Sequence, residues 1–295
     1  MVSRDSNRMK KTMKEQPLTD GAHSPESLYL DLLKKSLTRY LFAETYQPVR
    51  PIKPLLVRGL FAPLRKLLSA SGLEVVRRLH YDPTKRAEGR DWPAEAETMI
   101  GLKRLDNLQY CITEVLRLSV PGDLIETGAW RGGATILMKA VLKVYGEESR
   151  RVWVADSFQG LPKPDAKRYP ADRGDSHWAW SHLAVPLDEV KRNFSRYGLL
   201  DERVRFLAGW FRDTLPSAPI EQLAVLRLDG DMYESTMDAL RFLHPKLSIG
   251  GFVIVDDYGA VPACKAAVQD YRLKHSITEP IIPIDWTGVY WQRQK

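Results

Sequence analysis

Leu124-Ile125-Glu126-Thr127-Gly128-Ala129-Trp130-Arg131-Gly132-Gly133 runs from a strand-like apolar segment through a glycine-rich turn into a helix start. Gly128 lets the chain turn sharply, while Gly132 and Gly133 let backbone approach a ligand or pack a helix start closely. A turn of this kind serves helix packing as readily as binding. Two acids sharpen the reading. Glu126 puts a carboxylate at the strand end, which repels a pyrophosphate and suits a cationic ligand. Asp156 ends the next strand, where an acid can accept the hydroxyls of a ribose. Together they fit S-adenosylmethionine (SAM) better than NAD. Trp130 stands where many SAM-binding turns carry another glycine, so its ring must point away from the cofactor or stack over it.

Outward from this turn, strand and helix patterns alternate. Strands are predicted at Asp123–Glu126, Val152–Ala155, Val204–Leu207, Ala224–Leu228 and Phe252–Val255. Helices are predicted at Ala134–Tyr145, Leu187–Tyr197, around Phe211–Leu215, at Ser235–Leu243 and at Pro262–His275, with strand-like tails at Ile281–Ile284 and Val289–Gln292. Alternation of this kind implies an α/β fold with a mostly parallel sheet and crossover connections. Upstream, Met99, Leu102, Leu105, Leu108, Ile112, Val115 and Leu116 fall at helical spacing over 94–118. Leu28, Leu30, Leu32, Leu33, Leu37 and Leu41 do the same, with Ser24 as a cap. The basic amphipathic stretch Leu55–Leu79 reads as a helical pair, either covering the main domain or a partner subunit, or acting as a lid. The connection Phe158–Pro186 is far longer than a βα loop needs, and its aromatic content argues against disorder.

A second constellation closes the fourth and fifth strands, Leu228-Asp229-Gly230-Asp231 and Val255-Asp256-Asp257. Both ends open on the carboxyl edge of the sheet, where ligands bind. Asp-Gly and Asp-Asp also make ordinary turns and caps. Two such pairs at neighbouring strand ends would repel one another unless a cation sat among them. Oxygen donors without clustered Cys or His favour a hard ion such as Mg²⁺. A carboxylic acid near pKa ~3.9 and an alcohol near ~15.7 differ by about 16 kcal/mol in proton affinity, too much for prior deprotonation by an unaided carboxylate. A Lewis-acidic ion narrows that gap, and a carboxylate takes the proton as the methyl transfers. Asp231 is assigned that base role, and Asp229, Asp256 and Asp257 hold the ion.

Composition excludes several classes. The apolar and charged fractions, 44% and 27%, are those of a globular protein. Arg and Lys interrupt every apolar run before it reaches membrane-spanning length, and the polar N-terminus lacks a secretory h-region. Cys111 and Cys264 suit two buried thiols in a reducing cytoplasm. Residues 1–90 carry 18 Lys or Arg against 9 Asp or Glu, and the remainder 26 against 28, so the surplus of the +7 chain lies outside the region of chemistry. That distribution argues for a solvated arm rather than a nucleic-acid footprint.

At these residues the sequence resembles the macrocin O-methyltransferase (TylF-type) family, which methylates sugar hydroxyls on antibiotics. The most specific stretches are Gly89-Arg90-Asp91-Trp92-Pro93, Ala96-Glu97-Thr98-Met99-Ile100-Gly101, Arg104-Leu105-Asp106-Asn107, Asp156-Ser157-Phe158-Gln159-Gly160-Leu161-Pro162, Leu228-Asp229-Gly230-Asp231-Met232-Tyr233 and Asp256-Asp257-Tyr258. The resemblance implies a Rossmann-like class I SAM methyltransferase with a seven-stranded sheet. It also implies a metal on Asp229, Asp256 and Asp257, with Asp231 as base. Cofactor contacts are expected at Thr98, Met99, Glu126, Thr127, Gly128, Trp130, Asp156, Ser157, Gly209, Trp210 and Asp229. The expected organisation is a disordered basic tail over 1–26, a helical lid or oligomerisation segment over 27–93, and the methyltransferase domain over 94–295. A cytoplasmic homo-oligomer acting on a glycosylated small molecule follows, with no nucleic acid and no membrane span. A catechol-type methyltransferase is the competing enzyme reading. An RNA-binding protein and a NAD-dependent oxidoreductase are disfavoured, the latter by Glu126. His177, His182, Trp178 and Trp180 of the long loop are given no catalytic role, and His244 reads as a helix-end residue.

Overall fold

The computed structural model describes residues 24–43, 45–49, 63 and 66–295. Residues 1–23 of the expected tail and residues 55–62 and 64–65 of the expected helical pair over 55–79 lie outside the described residues, while residues 66–70 are helical. Ser24 caps helix α1 (Pro25–Leu37), accepting the Ser27 backbone N–H at 3.2 Å. The helix therefore begins within the tail predicted over 1–26. It stops before Leu41, because Arg39 adopts a left-handed φ of 57°. Leu30, Leu33 and Leu37 are buried, each worth about 1.5–3 kcal/mol, and fix α1 to the main body.

Strands β1 (Thr45–Pro48) and β2 (Val76–Leu79) pair antiparallel. Residues 76–79 are thus extended rather than helical, a correction to the helical pair. Val76-Arg77-Arg78-Leu79 does not alternate with period two, and it is the pairing with β1 that supplies its ladder. A short helix α2 (Pro83–Ala87) follows, capped by Asp82.

Helix α3 spans Leu102–Arg117, so the predicted helix over 94–118 is correct only in its later part. Residues 94–100 run irregularly against the glycine-rich turn, where the Gly133 N–H donates to the Glu97 carbonyl at 2.9 Å. Ala96, Thr98 and Ile100 are buried there at a spacing of two, without helix.

The remaining elements are β3 (Asp123–Thr127), α4 (Gly133–Val144), β4 (Val152–Asp156), α5 (Leu187–Arg196), β5 (Val204–Ala208), α6 (Phe211–Thr214), β6 (Leu223–Leu228), α7 (Tyr233–Leu243), β7 (Leu247–Val255), α8 (Pro262–Lys274), β8 (Ile282–Pro283) and β9 (Val289–Gln292). They match the predicted alternation closely; β7 begins five residues earlier than Phe252. The seven strands form one sheet in the order β5-β4-β3-β6-β7-β9-β8. β3 to β7 are parallel, and β9 runs antiparallel to both β7 and β8.

Two apolar cores sandwich the sheet. Leu30, Leu105, Ile112, Leu137 and Phe194 fill one side, and Leu226, Leu240, Val268 and Trp291 the other. Cys111 and Cys264 are free thiols within these cores, as expected. The order reverses between β3 and β6, and a crevice opens at their carboxyl ends. No helix among the described residues is long and apolar enough to cross a membrane.

Candidate active site

A cavity of about 650 Å³ occupies that crevice, a size suited to small-molecule ligands. Gly128 shapes its floor: a Cβ there would fall 1.6 Å from the Asp229 carbonyl oxygen, and its φ is 91°. The turns after β3 and β6 can approach this closely only with glycine at that position.

Most of the residues proposed for cofactor binding converge on this cavity. Thr98 and Met99 wall it from the segment before α3; Glu126, Gly128 and Trp130 come from the glycine-rich turn. Asp156 and Ser157 follow β4, Gly209 and Trp210 follow β5, and Asp229 follows β6. Thr127 is the exception. Strand alternation turns its hydroxyl onto β6, where it donates to the Arg227 carbonyl at 3.4 Å, and it does not line the cavity.

Asp156 has a structural task as well. Its Oδ2 accepts the Ala129 N–H at 2.8 Å and the Trp130 N–H at 3.3 Å, and its Oδ1 accepts the Phe158 N–H at 2.7 Å. It therefore fastens the glycine-rich turn to the start of the long loop, while Oδ1, which accepts one of these N–H groups, keeps further acceptor capacity. Trp130 takes φ 46°, consistent with a position that favours glycine. Its indole N–H donates to the His182 carbonyl at 2.8 Å, so the ring ties the turn to the long loop.

The acids cluster at the other end. Asp229, Asp256 and Asp257 each offer an oxygen, all within 4.8 Å of one another. Desolvation and mutual repulsion hold the Asp229 and Asp257 carboxyls well above the usual carboxylate range. Asp231 sits beside them with a left-handed φ of 56°, and its N–H donates to Asp257 Oδ2 at 3.1 Å. Burial raises its carboxyl to about 6; the His177 ring counters that rise, while Asp256 and Asp175 add to it.

Two guanidiniums that the sequence reading did not assign hold this cluster together. Arg227, 1% exposed, pairs through Nη1 with Glu126 and with Asp229 (2.8 Å), and through Nη2 with Asp256. Arg104 pairs with the other Asp256 oxygen and, at 3.0 Å, with Asp285. The acids are therefore partly salt-bridged, yet they are not splayed apart. Six acids, Glu126, Asp229, Asp231, Asp256, Asp257 and Asp285, meet two fixed cations. Each bridged carboxylate oxygen keeps a second lone pair.

An excess of negative charge and an oxygen-only donor set fit a hard dication. Glu126 is buried, its side chain 2% exposed. Burial raises its carboxyl to about 7 despite Arg227, and its Oε2 has no hydrogen-bond partner among the described residues.

The long loop roofs the cavity in three short 3₁₀ turns. Buried Asp172 anchors it by accepting the Tyr233 and Glu234 N–H groups at 2.6 and 3.0 Å, at the start of α7. In the same loop Asp175 Oδ2 lies 2.6 Å from His177 Nδ1, and both residues line the cavity. His182 meets the site through its backbone and through a ring stacked on Trp180. Trp180 lines the cavity, whereas Trp178 does not and instead lies under Lys163. His244, distant from the site, packs against Tyr271 and is pushed down to about 4 by burial.

The macrocin-O-methyltransferase (TylF) family profile matches residues 26–293. A Streptomyces olivaceus 8-demethyl-8-(2,3-dimethoxy-α-L-rhamnosyl)-tetracenomycin-C 4′-O-methyltransferase is 52% identical over 90% of this chain and 92% of its own. Demethyldecarbamoylnovobiocin O-methyltransferase of Streptomyces niveus is 57% identical over 73% and 82%. Mycinamicin III 3″-O-methyltransferase of Micromonospora griseorubida is 46% identical over 90% and 96%. Among solved structures, the O-methyltransferase NovP superposes with a TM-score of 0.78 at 48% identity, covering 92% of this chain and 100% of NovP.

Proposed function

The chain belongs to the macrocin-O-methyltransferase (TylF) family and is an O-methyltransferase, and we propose that it methylates a sugar hydroxyl of a glycosylated natural product, using SAM and Mg²⁺. One observation carries the reading: the convergence of Asp229, Asp256 and Asp257 beside Asp231 at the edge of a SAM-methyltransferase sheet. The catechol-type alternative draws no support from the relatives, one of whose names specifies a rhamnosyl-bearing acceptor.

SAM, when bound, supplies the methyl group. Glu126, with its unpartnered Oε2, would hold the ammonium of the methionine moiety, and Asp156, through Oδ1, would hold the ribose. Thr98, Met99, Ser157, Gly209 and Trp210 shape the rest of that half of the cavity. Asp229, Asp256 and Asp257 would hold Mg²⁺, which would supply Lewis acidity toward the acceptor hydroxyl. Arg227 and Arg104 orient two of those acids from behind, as outer partners of metal ligands do. Asp231 takes the hydroxyl proton as the new C–O bond forms. The roof of long-loop residues excludes water, which would otherwise compete for the methyl group. Leu28, Tyr29 and Leu32 project from α1 away from the main body, which supports a second copy of the chain as partner.

A methyl-transfer screen with SAM over glycosylated acceptors tests the reading, with a mass gain of one methyl on the sugar as the expected product. Methylation confined to aglycone hydroxyls or simple catechols would overturn it.

A further inference from the structure

Residues 89–93 take no part in the methyl-transfer scheme, yet their backbone is fastened beside the acid cluster. A Cβ on Gly89 would fall 2.4 Å from the Gly101 nitrogen and 2.7 Å from Arg104 Nη2, so the chain lies directly on the start of α3. Arg104 is the residue that pairs with Asp256 and Asp285. Arg86 Nε donates to both Asp91 oxygens, at 2.8 and 2.7 Å, and Pro93 is buried.

Trp92 stands between those two anchors. It is 50% exposed, lines the cavity, and makes no hydrogen bond or ring contact among the described residues. A second indole, Trp286 of the β8–β9 turn, lines the same cavity and is also part-open. Its N–H donates to the Glu88 carbonyl at 2.9 Å, and the Arg90 guanidinium lies over its ring at 4.7 Å. Its neighbours reach the acids: Asp285 bonds Arg104, and the Thr287 hydroxyl donates to the Asp256 carbonyl at 3.0 Å. Two half-open indoles thus border a cavity whose acids lie deeper, Asp256 being 4% exposed.

We propose that Trp92 and Trp286 hold the aglycone of the acceptor, its apolar body stacking on these indoles while its sugar reaches the acids. The inference rests on the glycoside reading above. The sugar has to enter fully, because its hydroxyl must meet buried carboxylates. What stays at the mouth is the body to which the sugar is attached, and indole faces recognise apolar and aromatic surface. Trp286 supplies a face fixed by Glu88 and Arg90. Trp92, with no protein partner, adjusts to the body that arrives and makes the enzyme selective for it.

The test is a calorimetric titration of the full chain, loaded with S-adenosylhomocysteine and Mg²⁺, with 4-methylumbelliferyl α-L-rhamnoside and methyl α-L-rhamnoside. The aryl glycoside is expected to bind about tenfold more tightly, the worth of one good aromatic contact. Trp92→Ala is expected to erase that difference by weakening the aryl glycoside alone, with SAM affinity at the wild-type value. In turnover the loss falls on KM while kcat holds, and Trp92→Phe recovers most of it; a structural defect would lower kcat and SAM affinity together. Trp286→Leu is expected to repeat the pattern. Equal affinity of wild type for the two glycosides, no saturable binding of the aryl glycoside, or an equal loss on both in Trp92→Ala overturns the proposal. Product analysis separates it from the glycoside reading. Methylated rhamnose formed from both glycosides at equal KM sinks the aglycone platform alone. Methylation of free 4-methylumbelliferone at its phenol, with both glycosides untouched, sinks the sugar reading itself.

Discussion

Arg227 reaches Asp229 at 2.8 Å from within a strand whose every residue is buried. The same guanidinium also meets Glu126 and Asp256, so one cation links the cofactor end of the cavity to the proposed metal end. Burial lowers the proton affinity of this guanidinium, but the three carboxylates around it raise it more, and it stays charged. A buried ion network of this kind costs desolvation, and its return is orientation.

Removing Arg227 would leave Glu126 and Asp229 without their counter-charge and Asp256 with Arg104 alone. Arg227→Met is expected to destabilise the fold by about 3–5 kcal/mol, the usual cost of stripping one partner from a buried pair. Thermal unfolding at pH 7.5 checks this, and a melting temperature equal to wild type would mean that the acids are already neutral.

Glu126 gives the fold a pH dependence of definite sign. Its carboxyl rises from 4.5 to about 7 on folding. Between those values the folded chain holds a proton that the unfolded chain releases, so stability falls as pH rises through the window. The contribution, up to about 3 kcal/mol, is complete below pH 4.5 and lost above pH 7. In EDTA, the melting temperature should decline from pH 5 to 8, and Glu126→Gln should flatten that slope. A slope unchanged in Glu126→Gln would assign it to other groups.

Asp231→Asn removes the proposed base while leaving the cavity shape intact. Turnover should fall by about 10²–10⁴-fold, the range for a lost general base. SAM affinity should change little, since the base acts only in the chemical step. Parallel measurement of kcat and the SAM dissociation constant decides it.

Asp172 ties the long loop to α7 through two backbone N–H groups. Asp172→Ala should cost about 1 kcal/mol, as lost helix caps do. Exchange of the Tyr233 and Glu234 amides should speed up with it, and amides that stay protected would show that other contacts hold the loop.

Much of this architecture is legible in the residues alone, because strand and helix periods alternate cleanly from Asp123 onward and each strand end carries a diagnostic side chain. Asp229, Asp231, Asp256 and Asp257 could be grouped because topology forces parallel strand ends onto one edge. Arg227 and Arg104 escaped. The available signal was Arg227 itself, a lone charge inside Leu223-Ala224-Val225-Leu226-Arg227-Leu228, where burial demands acidic partners. The Asp175–His177 pair was equally hidden, since a spacing of two has no helical meaning and acquires one only through a local turn. Residues 94–100 were misread as helix because Met99 continues the spacing of Leu102, Leu105 and Leu108 while lying ahead of the helix itself. The strand at 76–79 was missed because Val76-Arg77-Arg78-Leu79 does not alternate with period two.

The cation site is the claim on which the rest depends, and calorimetric titration of Mg²⁺ into EDTA-stripped protein with SAM present tests it directly. One saturable Mg²⁺ site per chain, abolished in Asp257→Asn while SAM still binds, is the predicted result. Absence of saturable binding, or binding unchanged in Asp257→Asn, would contradict it.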